Sequence, residues 1–99
     1  MKKNNSFKFK NTKGIEYEIS FRKPDKRAYG DADGVCYPPE DKYPKIFINP
    51  NLTSQNELNT IIHELAHAFF WDKSERAVER FASTCSHFLW NNRWRKIRR

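Results

Sequence analysis

No C-x-x-C pair occurs in this chain, and its two cysteines, Cys36 and Cys85, stand far apart. Nothing in this suggests a disulfide framework, and a reducing cytoplasm is the expected compartment. No apolar run approaches the roughly 20 residues a membrane-spanning helix needs. The Lys- and Asn-rich start has none of the apolar stretch of a signal peptide, so neither a membrane nor export is expected. No repeat or linker divides the 99 residues. One domain over residues 1–99 is expected, with residues 1–6 and 95–99 as flexible ends. Asp31 and Asp33 lie in a Gly-, Asp- and Pro-rich loop, but the ligand spacing and terminal acid of an EF-hand are absent. They read as turn residues.

What the chain does have is aromatic side chains and positive charge. Eight Phe, four Tyr and three Trp supply most of the area a modest core can bury. The formal charge is +7. It suits an acidic partner such as nucleic acid, and equally serves solubility.

The first half reads as strands. Phe7 to Lys10 alternates apolar and basic residues, and Asn11 to Gly14 is turn chemistry. Ile15, Tyr17, Ile19 and Phe21 alternate with polar residues, as in the second arm of a hairpin. A short strand through Val35, Cys36 and Tyr37 fits inside the loop that follows. Lys45 to Asn49 is a strand bracketed by Pro44 and Pro50, which predicts an edge position. An edge strand beside a functional site can pair with an extended peptide.

The second half reads as two helices. Ser54 to Glu57 spells S-x-x-E, a capping box that opens a helix at about Gln55 and carries it to about Trp71. Leu58, Ile61, Ile62, Leu65 and Phe69 form its apolar stripe. After a tight connection Ser74 can cap a second helix, whose face is Val78, Phe81, Cys85, Phe88 and Leu89 and which runs to about Arg93.

Beside the first stripe lies His63-Glu64-Leu65-Ala66-His67, an H-E-x-x-H motif. On a helix the two histidines share one face, one turn apart, and can point at a single metal ion. Zinc suits such donors, and a catalytic zinc keeps three protein ligands and an open position. Glu64 then serves as the acid that takes a proton from water.

A third donor is required, and the returning helix offers Glu75 and Glu79, either of which can be level with the metal. A solvated face on which Arg76 and Arg80 pair with these acids is the plain alternative. His87 lies roughly 18 Å beyond Glu75 at 1.5 Å per residue and is a packed or exposed residue. Cys36 reads as a small buried side chain rather than a fourth ligand.

The runs Ile46 to Pro50, Ile61 to Ala68, Trp71-Asp72, Glu75 to Ala82 and Phe88 to Trp90 resemble small phage-encoded zinc metallopeptidases, and more distantly SprT-like and ImmA-like zincins. The resemblance covers roughly residues 30 to 95. It implies an α+β fold of minimal zincin type: a small, about three-stranded sheet packed on a two-helix hairpin carrying H-E-x-x-H. In the ImmA-like pattern a ligand glutamate is followed four residues later by an acid or amide that supports a bound histidine. The resemblance therefore implies His63, His67 and Glu75 on zinc, Glu64 as general base, and Glu79 as support for a histidine, or as the ligand if the two acids are swapped. The chain departs from the larger families in its short connection and in lacking a clear N-terminal helix. It also lacks an evident transition-state-stabilising His or Tyr, for which Tyr37 and Tyr43 are the candidates.

The expected function is zinc-dependent peptide-bond hydrolysis on a protein or peptide substrate. The rival is a zinc-stabilised phage regulator with a vestigial site. A further rival is a nucleic-acid-associated protein working through the tail, where Trp90 and Trp94 lie among Arg93, Arg95 and Lys96.

Overall fold

The computed structural model describes residues 6–97; the expected loose ends at 1–5 and 98–99 lie outside them. Strands β1 (Ser6–Lys10) and β2 (Glu16–Ser20) form the expected antiparallel hairpin, with Phe7 opposite Ile19 and Phe9 opposite Tyr17. Its turn is held by the buried Asn11, whose Oδ1 accepts from the N–H groups of Lys13 and Ile15, both at 2.9 Å. Gly14 has φ +80°, a left-handed conformation that glycine adopts at no steric cost.

After β2, where Lys23 to Lys26 read only as the end of a strand, Asp25 caps a single helical turn, α1 (Lys26–Tyr29). Pro and Asp are strand-ending residues and helix-opening residues alike, so the pattern cannot separate the two.

Strands β3 (Gly34–Cys36) and β4 (Lys45–Ile48) complete a four-stranded sheet in the order β1-β2-β4-β3, one strand more than the resemblance implied. β4, expected at an edge, is central: it runs parallel to β2 and antiparallel to β3. The correction has a simple cause. Both prolines fall outside the four-residue strand, so neither removes a ladder donor. The Pro44 carbonyl even accepts from the Glu18 N–H at 3.2 Å. The edges are β1 and β3.

Tyr17, Ile19, Ile46 and Ile48 form the core with Ala68 of the first long helix. The Tyr17 hydroxyl donates to the Tyr37 carbonyl at 2.8 Å, so its polar end is satisfied.

That helix, α2 (Ser54–Phe69), is capped by Thr53 rather than by Ser54. Thr53 Oγ1 accepts from the Asn56 N–H at 3.3 Å. Glu57, expected in a capping box, is buried and pairs with Lys96 Nζ at 3.1 Å. The helix stops at Phe69, two residues short of Trp71. Ser74 caps α3 (Glu75–Asn91) as expected, its Oγ accepting from the Ala77 N–H at 3.1 Å.

The two helices pack on each other more extensively than any other pair of elements. α3 buries Val78, Ala82 and Ser86. Phe81 and Phe88, expected on the apolar face, are exposed. Small side chains at i+4 and i+8 from Val78 let α3 lie close to α2, and that turns both phenylalanines outward.

α3 ends in a Schellman motif. Arg93 adopts φ +70°, the Trp94 N–H donates to the Leu89 carbonyl and the Arg93 N–H to the Trp90 carbonyl, both at 3.0 Å. The chain then doubles back. Arg95 lies 3.4 Å over the Trp90 ring, and Lys96 reaches Glu57. The described part of the tail, expected to be loose, thus has partners.

Candidate metal centre

The helical period puts His63 and His67 side by side on α2, with ring centroids 4.8 Å apart. The connection after Phe69 turns the chain at once, with the Lys73 N–H donating to the Phe70 carbonyl at 2.9 Å. Glu75, the first residue of α3, is thereby brought over the imidazoles. Its Oε2 lies 3.0 Å from His63 Nε2 and its Oε1 2.9 Å from His67 Nε2. The three donor atoms lie within 4.8 Å of one another, and no other His, Cys, Asp or Glu among the described residues joins them.

Two imidazole nitrogens and one carboxylate oxygen are a donor set that fits zinc and suits magnesium or calcium poorly, since those ions want oxygen. The electrostatics agree with ligand chemistry. Burial lowers the pKa of His67, outweighing the upward pull of Glu75, and a neutral imidazole is the form that can bind a metal.

Glu64 sits beside these donors and outside their group. It is 7% exposed and helps to line a cavity of about 340 Å³ together with Gly34, Val35, Cys36, His63, His67, Trp71 and Glu75. Burial, with a smaller contribution from the Glu75 carboxylate, pushes its carboxyl up to about 7. A cation on the three donors would act in the opposite direction.

Not every candidate residue arrives. Glu79 is exposed, with no hydrogen-bond or ion-pair partner among the described residues. His87 is exposed. Tyr37 and Tyr43 do not line the cavity: Tyr37 packs against Phe47, and Tyr43 is exposed. Cys36 does line it, but its Sγ points to the Tyr37 carbonyl at 3.5 Å. Burial, and next the charge of Glu64, push the thiol up to about 12. Three residues of the cavity, Gly34, Val35 and Trp71, went unnoticed in the sequence as site residues. Trp71 walls it, its ring centroid 6.5 Å from that of His67. Gly34 brings β3 against α2; a glycine within a strand pattern is the one signal that could have found it.

A family model, the IrrE N-terminal-like domain, matches residues 16–87, from the start of β2 to well into α3. The chain belongs to the IrrE N-terminal-like domain family. The match takes in both histidines, Glu64 and Glu75, and the family, classified as a peptidase group, supports a metallopeptidase-like or regulatory role. It agrees with the ImmA-like side of the resemblance. Comparison with curated proteins and with solved structures found no match. Among the described residues of this IrrE N-terminal-like domain, no helix is long and apolar enough to cross a membrane.

Proposed function

We propose that this IrrE N-terminal-like domain is a zinc-dependent peptidase in which His63, His67 and Glu75 hold the metal and Glu64 is the general base. The observation that carries the reading is the single carboxylate of Glu75 within 2.9 to 3.0 Å of both Nε2 atoms. Bound zinc would supply a Lewis acid that acidifies water and polarises the scissile carbonyl.

The chain's own residues do the rest. Glu64, poised in the cavity, takes a proton from the attacking water and returns it to the leaving amine nitrogen. β3 is a sheet edge and lines the same cavity, so its free main-chain groups can pair with an extended peptide substrate. Strand addition, expected at β4, thus moves to β3.

The test couples elemental analysis with a peptide-library assay. One zinc per chain and hydrolysis of at least some peptides are expected. Glu64→Gln should keep the zinc and lose hydrolysis by about 10²-fold or more, as removal of a general base does. Equal hydrolysis by wild type and Glu64→Gln would overturn the mechanism.

One observation favours a second reading, a zinc-stabilised regulator with a vestigial site. Apart from His63 and His67, no His or Tyr lines the cavity to stabilise an oxyanion. Zinc-loaded wild type that cleaves nothing across a diverse library would put this reading first.

A further inference from the structure

Gly34 is a glycine for reasons of space, since its φ is not in the left-handed region. A Cβ built there would lie 2.8 Å from Thr60 Cγ2, 3.0 Å from Glu64 Cγ and 3.1 Å from Glu64 Oε2. Two of these are closer than, or at the limit of, any ordinary carbon contact. β3 therefore crosses α2 with its backbone directly on the Glu64 side chain.

No hydrogen bond ties the Glu64 carboxylate to another described residue, and no fully buried polar side-chain atom lacks a partner. The carboxylate therefore opens onto the cavity while its methylene stem is buried. A carboxylate without hydrogen bonds keeps one direction only if its stem is packed. Gly34 supplies that packing on the β3 side, and Thr60, one turn before Glu64 on α2, completes the seat.

We infer that Gly34 is a positioning residue: its bare backbone sets the direction of the Glu64 carboxylate, an inference that rests on the peptidase reading of Glu64. Adding one methyl group at this point pushes the carboxylate off its line to the water. A displacement of about 1 Å in a reacting group can cost about 10²-fold in rate.

The experiment must separate misdirection of Glu64 from a general loosening of β3 on α2. Gly34→Ala meets both Thr60 and Glu64. Gly34→Ala with Thr60→Ser loses the Thr60 Cγ2 contact and retains the two Glu64 contacts. Wild type, Thr60→Ser and both Gly34→Ala proteins are compared in melting temperature, zinc content, kcat and KM.

The expected result is that the double variant melts within a few degrees of wild type and holds one zinc. Its kcat falls about 10- to 100-fold with KM little changed. Return of kcat to the wild-type value along with the melting temperature would overturn the inference, because Gly34 would then serve only the strand–helix fit.

A crystal structure of the double variant, or of Gly34→Ala if the double variant does not fold, gives a readout independent of activity. Displaced Glu64 torsions support the inference; unmoved torsions overturn it. If wild type hydrolyses nothing, the peptidase reading falls by itself, and the torsions still decide whether Gly34 sets the direction of Glu64.

Discussion

Glu75 and Glu79 are a helical turn apart and chemically alike, yet the structure separates them. Glu75 bridges two imidazoles, and Glu79 is exposed without a partner among the described residues. Glu75→Gln should therefore lower zinc affinity strongly, while Glu79→Gln should leave it close to wild type, as read by competition with a chelator. A large loss in Glu79→Gln would show that it supports a histidine after all. His63 and His67 were legible in the sequence because helical period alone fixes their relation. That one of the two acids returns over the histidines was legible because only a handful of residues separates the helices, so the chain has little freedom in where it returns; the residues alone left Glu75 and Glu79 open, and only the resemblance favoured Glu75. Gly34 was not, since its role depends on which loop crosses α2, a contact between residues far apart in sequence. Cys36 carries a pH prediction. Its thiol is pushed from an ordinary 9.0 to about 12, chiefly by burial. A group whose folded pKa is raised contributes stability that is complete below the unfolded value and fades as pH rises toward the folded one. Stability should thus decline between about pH 9 and 12, and Cys36→Ala should show a shallower decline in denaturant titrations across that range. Burial raises the Tyr17 hydroxyl as well, so the decline should not vanish.

Among the elements, α2 and α3 were the most legible, and their ends the least. A Thr-Ser pair offers two hydroxyls in succession, and S-x-x-E picks the second; the structure caps with the first. Thr53→Ala should cost about 1 kcal/mol, measured by chemical denaturation. An unchanged stability in Thr53→Ala would mean that another group caps the helix. β4 was legible as a strand but not in its place, because proline flanks say where a strand stops and nothing about its neighbours. The exposed Phe81 and Phe88 teach a similar lesson: apolar periodicity marks a stripe, and the small residues beside it decide which side is packed. At the end of α3, Arg93 holds a left-handed conformation that costs a side-chain-bearing residue roughly 1–2 kcal/mol. Arg93→Gly relieves that cost at the expense of glycine's extra chain entropy, so a net gain of up to about 1 kcal/mol is expected.

Across the whole molecule, charge and the proposed metal site carry the predictions. A domain this small has little stability in reserve, and a metal held as proposed between α2 and α3 would add to it. Chelation should lower the melting temperature, and His63→Ala and His67→Ala should melt like the chelated protein with or without added zinc. The charge of +7 leaves contact with nucleic acid as a proposal for the tail. Arg95 and Lys96 already serve Trp90 and Glu57, so cutting the tail away would also remove a cation paired with a buried carboxylate. The cleaner variant is Arg93→Gln with Trp94→Ala, which should weaken binding at low salt and flatten its salt dependence. No binding by wild type at low salt would leave solubility as the role of the charge.

The order of the strands also bears on how the site comes into being. His63, His67 and Glu75 lie within one helical hairpin and need only a short loop to meet, whereas β3 reaches the site through β4, which itself joins β2 by a parallel pairing between distant residues. Local contacts form fast and distant parallel pairings slowly. The proposed ligands should therefore assemble early in folding, and the wall of the cavity that holds Glu64 late. Zinc added before refolding should speed the recovery of the helices in stopped-flow measurements, while hydrolytic competence lags behind until the sheet has closed. A nascent chain would thus be able to capture its metal before it is able to cut.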